Sequence, residues 1–147
     1  MSFTHTALAF FIGALLPVQV GVNVELARHI NSPVLAALVS FVVGGLCLIL
    51  SASIIKTPLP SWNQVISLPS WLWGGGLIGA LVVFGSILAG PKIGALALMS
   101  LLLAGQLVAS IIIDHYGWLG FSVQKLDFQR LLGVLLLVGG FMLIRRN

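Results

Sequence analysis

Long apolar runs, with their few charges confined to the run ends and with short breaks rich in proline, glycine and polar residues between them, set the pattern of this chain. Five such runs occupy about residues 6–29, 33–55, 71–89, 91–116 and 128–144. Each approaches or exceeds the roughly 20 apolar residues that cross a bilayer core as a helix. The pattern predicts an all-α integral membrane protein with five transmembrane helices in a single domain over residues 1–147. The first run is too long for the apolar region of a signal peptide and has no basic stretch before it, so it reads as a span.

The breaks carry recognisable chemistry. Asn31-Ser32-Pro33 predicts a compact turn, with Ser32 as the cap of the second helix and Pro33 at its first position. The first two spans then form an antiparallel hairpin. The segment 56–70 contains Pro58, Pro60, Pro69 and Trp62, with Trp71 and Trp73 following, and reads as an interfacial loop with an aromatic belt. Gly90-Pro91-Lys92 predicts a tight turn that makes Pro91 the first residue of the fourth helix, and Gly117 fits the position just past that helix's end. Asp127 is placed to cap the fifth helix, and Tyr116 and Trp118 belong at the interface.

Inside the runs, small residues recur at helical spacing. Ala36, Ser40 and Gly44 on the second span, and Gly75 and Gly79 on the third, have the four-residue spacing that lets helix backbones approach closely. Pro17 interrupts the first span and cannot donate to the carbonyl of Gly13. Polar residues are few. Gln19 and Asn23 lie at i, i+4 on one face of the first span, and Gln106, Ser110 and Asp114 at i, i+4, i+8 on the fourth. A primary amide in hydrocarbon must find a partner, so these groups either join helices or line a solute cavity. Glu25 and Arg28, at i, i+3 near a membrane surface, read as an interfacial ion pair of small energetic weight.

Composition sharpens this picture. Hydrophobic residues make up 59% of the chain and charged residues 7%, against about 25% charged in soluble domains. The cations are dispersed at the ends of runs and form no patch, so the net charge of +4 implies topology anchors, not a nucleic-acid partner. With five spans, Lys56, Lys125 and Arg130 share one side, and Arg28, Lys92, Arg145 and Arg146 the other. That near balance fits insertion in both orientations; a single orientation with the C-terminal arginines inside is the alternative. The lone Cys47 offers neither an internal disulfide nor a metal set. Asp114-His115 comes nearest to acid–base chemistry, but adjacent helical residues point about 100° apart and do not form a dyad. The residues therefore argue against an enzyme, and no cofactor is expected.

PVQVGVNVELARHINSPVLAALVSFVVGG, GGLIGALVVFGSILAGPKIGA and LLLAGQLVASIIIDHYGWLGF together resemble the YdcZ-like five-helix branch of the drug/metabolite transporter superfamily. The resemblance covers nearly the whole chain. It implies a bacterial inner-membrane protein that forms half of an inverted-repeat, ten-helix bundle by pairing with a second copy as an antiparallel homodimer. It also implies a small-molecule solute moved through a cavity between the two protomers. On that reading Gln19, Asn23, Gln106 and Ser110 line the cavity and Asp114 stands at its mouth.

The small multidrug-resistance relatives in that superfamily exchange protons for cations through a glutamate well inside their first helix. This chain departs from that pattern, because its only first-span acid is Glu25, near the span's end. A neutral or amphipathic solute therefore fits at least as well as a cation. The rival readings are a dual-topology channel, whose polar side chains would replace hydration along a continuous pore, and a non-transporting assembly protein whose glycine faces bind a larger partner.

Overall fold

A computed structural model describes residues 3–125 and 127–145. The chain divides into two compact units, Met1–Lys92 and Ile93–Asn147. The first carries α1 (Phe3–His29), α2 (Pro33–Ile55), the short α3 (Trp62–Ile66) and α4 (Gly74–Ile93); the second carries α5 (Ala95–Tyr116) and α6 (Phe128–Arg145). Tight 3-10 turns at Ser70–Trp73 and Trp118–Gly120 precede α4 and follow α5. No strand occurs among the described residues.

Local sequence explains most boundaries. Ser32 Oγ accepts from Leu35 N at 3.2 Å, and Pro33 opens α2, so the hairpin turn forms as its residues dictate. Asp127 Oδ1 accepts from Arg130 N at 2.8 Å at the start of α6. Gly117 ends α5 with φ 64° and ψ 34°, the left-handed conformation that glycine adopts without steric penalty. A Cβ there would also lie 2.6 Å from Val123 Cγ2. α1 runs unbroken through Pro17.

One boundary corrects the sequence reading. Pro91 does not begin the fourth long helix; α4 continues through it to Ile93, and the break falls at Gly94, with φ 83° and ψ 156°. That region of backbone space is essentially reserved for glycine. Proline in the last turn of α4 removes one donor without ending the helix, whereas Gly94 turns the chain. The fourth long helix therefore spans 95–116, where the sequence suggested 91–116.

A second difference lies in the segment 56–70, read from sequence as an interfacial loop. Ser61 Oγ accepts from Gln64 N at 3.4 Å, and Gln64 Oε1 accepts from Ser61 N at 2.8 Å. This reciprocal pair nucleates α3.

The buried core of the first unit is made mostly of small residues. Ala27, Ala36, Ala37 and Ile87 are buried, with Leu26, Val83 and Phe84 packed against them. Ala36 is fully enclosed, 0% exposed, so the small-residue stripe does bring helices together at its Ala36 end. At the Gly44 end a Cβ would meet nothing within 4 Å. The Gly75/Gly79 pair divides in the same way, Gly79 meeting the Phe41 ring and Gly75 facing open space. Large apolar side chains point outward from every long helix. In lipid that arrangement carries no hydrophobic penalty, and packing rests on shape and hydrogen bonding.

Four helices, Phe3–His29, Pro33–Ile55, Ser70–Ile93 (with its leading turn) and Ala95–Tyr116, are long and apolar enough to cross a membrane. α6 is shorter in its apolar part, Phe128–Leu143. At 1.5 Å per residue its full length reaches about 27 Å, close to the roughly 30 Å of a bilayer core. Thinning of the bilayer or movement of its polar ends toward the interface closes so small a gap.

Candidate functional site

Two groups of polar side chains stand out inside the long helices. The hydroxyls of Ser51, Ser53, Ser86 and Ser100 donate to the carbonyl four residues earlier, at 2.8, 2.9, 2.7 and 2.8 Å. These groups are satisfied within their own helix and make no demand on a neighbour. Gln19, Asn23, Ser40, Gln106 and Ser110 form no such bond among the described residues. Four of these five are the cavity positions chosen from sequence.

In the first unit, Asn23 is buried, 5% exposed, one turn before the alanine core. Gln19 is exposed along α1 and lines a cavity of about 300 Å³ together with Ser40, Gly44, Gly45 and Leu48 of α2 and Val83 of α4. The glycines of α2 leave the space that the Gln19 side chain faces. The ion pair expected at the end of α1 is present, with Arg28 Nη1 3.1 Å from Glu25 Oε2 and both side chains more than half exposed. His29 Nδ1 donates to the Glu25 carbonyl at 2.9 Å. At such exposure these contacts contribute little to stability.

In the second unit, Gln106 and Ser110 are exposed on α5, and Asp114 is half-buried near its end. Asp114 has a partner that sequence reasoning missed. Arg130 Nη1 lies 3.6 Å from Asp114 Oδ2, and the same guanidinium binds Gln124, through the backbone carbonyl at 3.5 Å and through the side-chain Oε1. Gln124 N in turn donates to the Asp114 carbonyl at 2.8 Å. The cation offsets the unfavourable placement of an anion at a helix C-terminus, and the cluster ties α5 to α6 across the intervening loop. One signal was legible: Arg130 lies in the first turn of the fifth apolar run, where a charge gains from a partner. Beside it, Tyr116 stacks on Trp118 with ring centroids 5.1 Å apart, and His115 meets Tyr116 edge-on at 5.0 Å. Such amphipathic rings suit a membrane–water boundary.

Arg145 is the last described residue and Arg146, counted among the topology anchors, lies outside the described residues. No group of three or more metal-ligating side chains occurs among the described residues.

Long apolar helices with a few polar side chains among them define a multi-pass membrane protein. Comparison with known families gives the particular one. The chain belongs to the family described as "Putative inner membrane exporter, YdcZ", which matches residues 4–143. No curated protein and no solved structure matches it. Membership supports a multi-pass inner-membrane protein of the transporter class.

Proposed function

We propose that this protein exports a small neutral or amphipathic solute, and that its working unit is an antiparallel homodimer in a bacterial inner membrane. Each five-helix chain supplies one half of an inverted-repeat bundle, with the solute held near the midplane between opposed protomers. Gln19 and Asn23 on α1 and Gln106 and Ser110 on α5 are assigned to the solute path, with Asp114 at its mouth.

The observation that carries this reading is the hydrogen-bonding state of those side chains. Neighbouring serines close onto their own helix, while these amides and Ser110 form no bond within the described chain. Groups left open in hydrocarbon need water, a solute or another protomer. The absence of any acid at a span centre disfavours a cation exchanged for protons. The near balance of cations on the two sides supports dual insertion.

Screening purified protein against metabolites for a rise in thermal stability identifies a ligand. That ligand, loaded into proteoliposomes, should then show saturable flux stimulated by counterflow. Single-channel currents would contradict the transporter reading and favour a pore, and stoichiometric co-purification of a larger partner without flux would favour an assembly protein.

A further inference from the structure

Two cavities in the first unit meet at one side chain. The larger, about 440 Å³, opens between α2 and α4 and is walled by Val34, Leu38 and Phe41 from one helix and Leu77, Leu81 and Phe84 from the other. No polar side chain reaches it. The smaller is the cavity bearing Gln19 and Ser40. Phe41 belongs to both. Its ring tip, Cζ, lies 3.4 Å from where a Cβ on residue 79 would stand, so Gly79 is what leaves the ring its room against α4. Neither cavity has a charged residue in its wall.

We infer that these paired cavities form one binding site for an uncharged amphipathic molecule, its compact apolar tail between α2 and α4 and its hydrogen-bonding head at Gln19 and Ser40, with Phe41 dividing the two. The inference rests on the proposed transport of a small solute and names its chemical class. The larger volume falls in the range of small-molecule pockets. In a membrane, moving a tail from lipid to an apolar cavity gains little, because lipid is equally apolar. The tail cavity therefore selects by shape, and the head cavity supplies the discrimination. The Gln19 amide both donates and accepts, and Ser40 adds a hydroxyl, a set suited to an alcohol, amide or ester. A charged head would be desolvated there without a counterion. A lipid acyl chain could enter the tail cavity alone, but it would leave the polar pair unused.

The test uses the full chain in nanodiscs and an octanol carrying an aliphatic diazirine, photolysed and mapped by peptide mass spectrometry. Adducts should concentrate at Phe41 and in the segment 77–84. Excess unlabelled octanol should reduce them at least fivefold, whereas octyltrimethylammonium, or octanoate at pH 8, should leave them unchanged. Ala80→Phe, which fills the tail cavity, and Gln19→Leu, which removes the head's partner, should each lower labelling at least fivefold. Adducts spread over all outward apolar faces in proportion to exposure and insensitive to competitor would overturn the inference, as would equal competition by the charged octyl compounds. The competition arms need no variant, so they discriminate between these outcomes even if Ala80→Phe fails to fold. Counterflow without competable labelling would overturn this inference alone; competable labelling without any flux would overturn only the transport reading.

Discussion

Gln106 is exposed on α5 and forms no hydrogen bond among the described residues, so its replacement separates two roles cleanly. Gln106→Leu keeps the apolar packing and removes the amide. Export is expected to fall at least about tenfold, equivalent to roughly 1.4 kcal/mol, while helicity and thermal stability stay unchanged. A purely structural Gln106 gives the reverse, a weakened fold with normal flux per folded molecule. Asp114 and Arg130 call for a different measurement. With the side chains 32% and 38% exposed and 3.6 Å apart, their coupling in a double-mutant cycle of Asp114→Asn and Arg130→Gln should stay below about 1 kcal/mol. A larger value would mean that the surroundings exclude water more than this exposure indicates. Which polar residues share a helix face was readable from i, i+4 spacing, because helical periodicity fixes the face. Partners such as Arg130 and Gln124 were not readable, since they reach Asp114 across a loop whose path no local pattern dictates.

Boundaries between elements test the account at the next scale. Gly94 holds a conformation closed to other residues, so Gly94→Ala is expected to destabilise the protein by about 1 to 3 kcal/mol. Pro91 sits inside α4, and Pro91→Ala should be neutral or mildly stabilising in the same denaturation series. The opposite order would show that the chain breaks at the proline after all. Ser32→Ala removes the cap of α2 and should lower stability by about 1 kcal/mol. Turns with several agreeing signals, such as Asn31-Ser32-Pro33 and Asp127 before α6, formed where the residues placed them. The Gly94 break was hidden because a glycine within an apolar run carries no other mark, while the nearby Gly-Pro pair is a strong but misleading one. The Ser61 and Gln64 capping box of α3 was present in the sequence, overshadowed by the prolines on either side of it.

For the whole molecule, hydropathy alone conveys the all-helical membrane class, because no water-facing core has to be guessed. How chains assemble is not written in hydropathy, since outward-facing apolar residues suit lipid and a second protomer equally. Charge is the remaining lever. On the five-span topology, Lys56, Lys125 and Arg130 on one side stand against Arg28, Lys92, Arg145 and Arg146 on the other, a difference small enough for a few added cations to decide. The most direct measurement introduces two or three lysines beside the N-terminus in one variant and beside the C-terminus in another, in a Cys47→Ala background with a terminal cysteine for labelling from outside the cell. Each variant should label uniformly, one fully accessible and the other fully protected, while the parent labels in part. Each locked variant should be inactive alone, and co-expression of the two should restore export, because the proposed working unit takes one protomer of each orientation. Full activity in a single, uniformly oriented variant would contradict the antiparallel dimer.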